Sequence, residues 1–290
     1  MTVAQELVAL LERAARRIPL PRVRALHHPP VAGAANKDGE FCALELDDGS
    51  FGLTYALLED ALTLVAATPE RQGLGGLEAL GVARWFAEES GVKRTIGFAA
   101  VNALTRTLFE RARYRPGASP DSIGLLDPQP GDHVGMIGFF PPLAGRIVGA
   151  GAKLTVVELR PDLAGSREGY RITLEADELR ACNKVLSTST VLLNDTLDRM
   201  LEICRGARYF ALIGPGAGCL PDPLFARGVT LLGGTWIVDR DRFCGALTSG
   251  ESWGRYTRKF AICQGDYPGF DTLLRLAEAG QPGGGLEGSV

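Results

Sequence analysis

"GDHVGMIGFFPPLAGRIV", residues Gly131–Val148, sets a short apolar run, a glycine turn and an amphipathic stretch in succession. That order is the strand, turn and first helix of a nucleotide-binding α/β unit. The turn itself departs from the dinucleotide pattern. Gly135 and Gly138 allow a tight reversal, but Phe139, Phe140, Pro141 and Pro142 stand where further glycines belong. A diphosphate cradle needs free N–H groups at a helix N-terminus and little side-chain bulk. Two prolines supply no N–H, and two phenylalanines are large. With the G-x-G-x-x-G fingerprint absent, NAD or FAD is not expected. Two readings stay open: Pro141 and Pro142 simply start the helix, or Phe139 and Phe140 form an apolar wall facing a ligand.

Outward from this stretch the pattern alternates short apolar strands with helices. Strands are expected at 133–137, 153–157, 184–187, 209–213 and 229–232, with 236–238 near by, and helices at 142–149, 194–205 and 221–227. Continuous apolar strands joined by crossover helices make a parallel sheet covered on both faces. The expectation is a doubly wound, Rossmann-like domain. Before it, Val3, Leu7, Leu10, Leu11 and Ala14 have helical spacing, and Pro19 and Pro21 end that helix. Two strand-like runs, 40–46 and 51–57, flank Asp47-Asp48-Gly49-Ser50, a hairpin signal. Helices follow at 77–89 and 94–113. The first half therefore reads as a small α+β unit. Residues 115–132, rich in Pro, Gly and Asp, mark the boundary. The expected division is 1–118, 119–280, and an unstructured tail over 281–290.

Apolar residues make up 46% of the 290 and charged residues 22%, the balance of a globular protein. A net charge of −3 gives no general attraction to nucleic acid or to an anionic membrane. The N-terminal helix has interspersed charges, unlike a signal peptide, and no apolar run approaches a membrane span. A cytoplasmic protein is expected. The six cysteines (Cys42, Cys182, Cys204, Cys219, Cys244, Cys263) are never closer than 15 positions, which excludes a C-x-x-C zinc knuckle. They are expected to be buried small hydrophobes. His27-His28, before Pro29-Pro30, reads as a solvent-facing loop. His133 starts a strand, the wrong edge for a catalytic triad.

In a parallel sheet, ligands bind beyond the carboxyl ends of the strands. Glu158 ends "KLTVVELRP", 20 residues after Gly138, where such folds often place a ribose-binding acid. It could equally hold an amine or hard cation, or pair with Arg160 or Arg146. Ser187–Thr190 put four consecutive hydroxyls at a strand end, and Asn194 precedes a helix with Asp195, Thr196 and Asp198 in its first turn. An N-cap is one reading of Asn194, a polar ligand contact the other. Gly214, Gly216 and Gly218 permit close backbone approach. Asp239 and Asp241 are expected to pair with Arg240 and Arg242. No nucleophile–base constellation emerges, so no catalytic residue and no metal ligand is assigned.

Five segments taken together resemble a known family. They are "TIGFAAVNAL" (95–104), "VGMIGFFPPL" (134–143), "VVELRP" (156–161), "TSTVLLNDTLDRML" (188–201) and "IGPGAGCLPDPLFARGVTLLGGTWIVD" (213–239). Their order and spacing are similar to those of prokaryotic proteins named for heavy-metal chelation. The resemblance implies an enolase-N-terminal-like domain followed by a Rossmann-like domain, with a ligand cleft between them. It also implies a role in handling a metal or a metal-binding small molecule. Family members read Gly-Pro-Ser where this chain has Gly214-Pro215-Gly216. The dispersed cysteines and the oxygen-rich loops favour a hard ion, a chelated metal or an organic ligand over a naked soft metal.

The expected protein is thus a binding protein in metal homeostasis. Its cleft would use Gly138, Phe139, Glu158, Thr188, Thr190, Asn194, Thr196 and the Gly214-Pro215-Gly216 backbone. The ligand is a divalent metal, a metal chelate or a small polar metabolite, with self-association to a homodimer left open. The alternative is a Rossmann-type transferase that uses S-adenosylmethionine or a nucleotide, building a metal-binding metabolite. Whether turnover occurs is left open.

Overall fold

The computed structural model describes residues 1–31, 40–56, 61–67, 73–119 and 125–280. The chain opens on α1 (Val3–Ala15), started by a reciprocal cap in which Thr2 and Gln5 exchange side-chain and backbone bonds. Its buried stripe is the one the spacing predicts: Val3, Leu7, Leu11 and Ala14. A three-stranded antiparallel sheet follows, made of β1 (Val23–His27), β2 (Phe41–Leu46) and β3 (Phe51–Tyr55). The hairpin turns at Gly49, whose φ of 84° is the left-handed conformation glycine accepts. Strand β1 corrects the sequence reading, which put His27 in a solvent-facing loop. Lying among prolines, β1 has too little alternation to announce itself, and His27 ends it half-buried.

Helices α2 (Ala61–Ala67), α3 (Ala79–Glu88) and α4 (Gly91–Arg111) complete the α+β part. Helix α4 is the axis of the molecule. It is covered on nearly every side, with every residue from Thr95 to Thr105 buried. The sequence shows why neighbours come so close. A Cβ on Gly52 would sit 2.0 Å from the Ala99 carbonyl, and one on Gly97 2.4 Å from the Phe86 nitrogen. Both glycines let backbone lie on backbone.

The second sheet takes in β4 (Gly117–Ala118), β5 (His133–Ile137), β6 (Lys153–Val157), β7 (Gly165–Arg167), β8 (Tyr170–Thr173), β9 (Lys184–Thr188), β10 (Tyr209–Ile213), β11 (Leu231–Ile237) and β12 (Thr257–Cys263). Its order is β4-β12-β11-β10-β9-β5-β6-β8-β7. The parallel strands β5, β6, β8, β9, β10 and β11 lie in the lateral order third, second, first, fourth, fifth, sixth. That is the strand order of doubly wound dinucleotide folds. Helices α5 (Pro141–Gly149), α6 (Leu197–Ile203), α7 (Asp222–Phe225), α8 (Arg240–Ser249) and α9 (Phe270–Ala279) accompany it. The fold is an α+β part followed by a Rossmann-like sheet.

Three expectations change in detail. Strand β11 runs unbroken through Gly233-Gly234, because a Cβ on Gly234 would meet the Ala217 carbonyl at 2.3 Å and close packing demands glycine there. Helix α6 is shorter than expected and its N-cap is Thr196, not Asn194, because Ser189–Leu192 first form a 3-10 turn. Within 115–132, Gly117–Ala118 joins the sheet edge beside β12. Position 57, residues 120–124 and the tail 281–290 lie outside the described residues.

The two halves share one core. A continuous apolar cluster joins Leu44, Phe98 and Leu104 to Leu212, Leu232 and Phe260. Phe109 of α4 stacks on Trp236 of β11 at 6.5 Å, and Asn102 of α4 donates to the carbonyls of Leu53 (2.8 Å) and Gly216 (2.9 Å).

A buried ion pair fixes the start of the parallel sheet. Asp132 and Lys184, 4% and 8% exposed, meet at 2.8 Å, and Lys184 also donates to the carbonyls of Leu126 and Asp127. Burial pushes the Asp132 carboxyl up. Bonds from Lys184 and the Gln129 amide, with the Arg208 charge, outweigh it and hold the group below its usual range. A lowered folded value means that this stability is present above about pH 4, the unfolded value, and is lost as pH falls through the folded one. Asp132→Asn is expected to cost about 3 kcal/mol at pH 7 in urea unfolding, because Lys184 is left buried and unpaired. That difference should shrink in the same experiment below about pH 3.5.

Candidate functional site

The parallel sheet reverses its winding between β5 and β9, the place where open parallel sheets bind ligands at the carboxyl ends of their strands. Gly138 sits there with φ of 80°, and a Cβ would lie 3.0 Å from the Thr188 methyl. On the next strand, Gly214 has φ of 141° and leaves no room for a Cβ beside the Ser189 hydroxyl, 2.4 Å away. Positive φ at both positions, with little space for a side chain, favours glycine at this edge. Thr188 and Thr190 bond to each other through their hydroxyls at 3.1 Å.

The Gly138–Pro142 turn has spent its amides. Gly138 N–H donates to the Val157 carbonyl, Phe139 N–H to the Glu158 carboxylate at 2.9 Å, and Phe140 N–H to the Met136 sulfur. Pro141 and Pro142 have none. No backbone donor remains for a diphosphate, the physical reason that the glycine fingerprint is missing here. Phe139 is half-buried, its ring 6.0 Å from that of Tyr170. Both prolines start α5, so the helix-start reading of the stretch holds.

Glu158 takes a second amide, from Leu159, at 2.7 Å. Arg160 turns to Asp162 instead, at 2.6 Å. Two short backbone bonds fix the Glu158 carboxylate at the β6 end while each oxygen keeps another lone pair. Tyr55, the last residue of β3, feels the Glu158 charge from the first sheet. Burial pushes its phenol up, and the nearby charges of Glu40 and Glu158 push it further. Sequence reading missed Tyr55 and Asn102. A lone asparagine inside the apolar run "FAAVNAL" was the available signal for the latter. Its Oδ1 is buried and has no partner among the described residues.

The remaining candidates are distributed as follows. Asn194 Oδ1 accepts from both the amide and the hydroxyl of Thr196, the latter at 2.6 Å, so this pair is occupied internally. Gly216 is buried and gives its carbonyl to Asn102, while Pro215 is half-buried beside it. Asp241 pairs with Arg240 and Asp239 with Arg242, as expected.

Two family models, both described as "Putative heavy-metal chelation", match this chain over residues 39–105 and 121–263. The chain belongs to this heavy-metal chelation family. Its fold is shared by a DUF364 protein of unknown function from Desulfitobacterium hafniense, 22% identical, with TM-score 0.66 over 91% of this chain and 100% of that one. A DUF364 protein of unknown function from Pyrococcus horikoshii is 17% identical, with TM-score 0.64 over 89% and 99%. At these identities the likeness shows the fold alone. An uncharacterized protein of Methanocaldococcus jannaschii is 27% identical over 157 residues, 52% of this chain and 57% of its own length. The chain thus spans little more than half of that curated relative.

A heavy-metal chelation family invites a test of the donors. Among the described residues, His27, Glu45 and Cys244 form the group whose ligand atoms converge, within 4.8 Å of one another. Sequence reading missed it because His27 and Cys244 are 217 positions apart. Nitrogen, oxygen and sulfur would suit a zinc-class ion. The charges do not. Glu45 is fully buried and bound by Arg240 at 2.6 and 3.0 Å, with Arg24 at 3.6 Å and His27 at 2.9 Å. Burial pushes Glu45 up, and its bonds to Arg240 and His27 bring it below the usual range. Burial pushes the Cys244 thiol up to about 11, so a cation bound there would have to displace its proton. A cation would have to enter beside two guanidiniums. The cluster is an ion-pair node that ties α8 to β1 and β2. Cys244→Ser should leave zinc retention after dialysis unchanged by elemental analysis. Loss of bound zinc on that substitution overturns the ion-pair reading.

Proposed function

We propose that the protein binds a metal already held by a small organic chelator, in the crevice at the β5 and β9 ends, as a cytoplasmic protein of metal homeostasis. The observation that carries this reading is the winding reversal between β5 and β9, where Gly138 and Thr188 touch and Glu158 is fixed. Ligands of open parallel sheets occupy that crevice. The groups we assign to it are the Glu158 carboxylate and the Thr188 and Thr190 hydroxyls, with the Tyr55 phenol as a further candidate, oxygen donors that suit a hard ion or the polar rim of a chelate. Glu158 would meet the positive part of the ligand, Thr188 and Thr190 its hydrogen-bonding rim, and Phe139 its apolar side. Asn194, Thr196 and the Gly214-Pro215-Gly216 backbone would complete the far wall after local rearrangement. Six cysteines, none of them paired, fit a reducing compartment. No helix among the described residues is long and apolar enough to cross a membrane.

Elemental analysis and native mass spectrometry of untagged protein test this. The expected result is a metal and an added organic mass in equal amounts, both lost on Glu158→Ala. Protein that takes up neither, from a panel of divalent metals offered with and without citrate, contradicts it. The transferase reading makes a different forecast: heat on titration with S-adenosylmethionine, NAD or ATP. The occupied amides of the Gly138–Pro142 turn favour no heat with NAD or ATP, whose phosphates need free N–H groups.

A further inference from the structure

A second feature lies at the carboxyl end of β11, two strands along the same sheet edge from β9. A surface groove there is lined by Arg106 and Glu110 of α4, Arg115, Trp236 of β11, Val238 and Arg258 of β12. Three guanidiniums surround one indole. The Arg106 carbon stacks 3.2 Å from the Trp236 ring centroid, with those of Arg115 and Arg258 at 5.7 and 5.8 Å.

We infer that this groove binds a small oxyanion, a carboxylate or phosphate monoester, carried on an apolar body. The charges are out of balance. Three arginines face a single lining carboxylate, Glu110, which bonds Arg106 at 2.8 Å and also Arg115. Stacking on Trp236 and pairing with Glu110 account for Arg106 as a packed cation–π element. Glu110 also holds Arg115, but Arg258 comes to the same ring with no carboxylate partner among the described residues, and there like charges repel. Burial lowers Arg106 to about 10, its bonds to Glu110 oppose this, and the charges of Arg115 and Arg258 lower it further. An anion seated between the last two would relieve that repulsion. Arg258 spends one nitrogen on the Pro116 carbonyl at 3.2 Å, which fixes the guanidinium in place. Guanidinium forks match the paired oxygens of carboxylate or phosphate. The apolar preference rests on Val238, which is 60% exposed and unusually open for its type, while Trp236 is buried beneath the arginines.

Calorimetric titration of the full chain at fixed ionic strength tests this with four probes: phenyl phosphate, phenylacetate, inorganic phosphate and acetate. Saturable binding is expected for an aromatic oxyanion, about tenfold tighter than for its bare counterpart. Comparing phenyl phosphate with phenylacetate decides between phosphate and carboxylate. The Arg115→Gln, Arg258→Gln double variant should weaken that binding about tenfold or more. Both residues reach solvent, so its unfolding temperature should stay near that of the parent. Glu158→Ala should bind the probes as the parent does, which separates this site from the crevice. Equal affinity in the double variant, or no saturable binding of any probe to the parent, overturns the inference.

Discussion

Both sheets are organised around α4, a helix covered on nearly every side, with every residue from Thr95 to Thr105 buried. Helix α4 carries the first sheet on one side and the Rossmann-like sheet on the other, and Asn102 hydrogen-bonds into both. Covering a helix all round removes its apolar periodicity and replaces it with small residues and glycine contacts. One consequence is a core that runs continuously from α1 to α9. Another is that the carboxyl edge of the parallel sheet is brought against the end of β3, so Tyr55 and Glu158 share a neighbourhood.

The turn after β5 shows how one fold is moved away from dinucleotide binding. Its geometry is that of a strand-to-helix turn, but each amide from Gly138 to Phe140 is committed to a carbonyl, a carboxylate or a sulfur. The Glu158 carboxylate occupies an N–H that a phosphate oxygen would need. Buried donors are nearly always matched by acceptors, and at this turn the acceptors are internal. What is left at the edge is oxygen chemistry. The Glu158 carboxylate stands at this edge, while guanidiniums gather at Trp236.

Much of the fold was legible because parallel strands declare themselves as short apolar runs. The expected positions 133–137, 153–157 and 209–213 coincide with β5, β6 and β10. Strand β1 was not legible, since five residues between prolines give alternation no length in which to repeat. The caps of short helices were misplaced where a 3-10 turn intervenes, as at Ser189–Leu192. Of the candidate site, the strand-end positions of Gly138, Glu158 and Thr188 could be read from the rule that ligands meet strand ends. Tyr55 and Asn102 come from the other half, and only folding brings them near. The His27–Glu45–Cys244 node is the extreme case, because no local pattern connects residues on β1, β2 and α8. The five collinear segments carried the family resemblance better than any one motif did.

The direct measurement is the position of the metal. Crystals of protein purified with its own ligand, measured at the absorption edge of the co-purified metal, give an anomalous peak at the site. A peak in the crevice beside Glu158, with density for an organic chelator around it, is the result expected. A bare ion between His27 and Cys244, with Arg240 displaced from Glu45, would contradict the proposed function and restore the buried cluster as the metal centre.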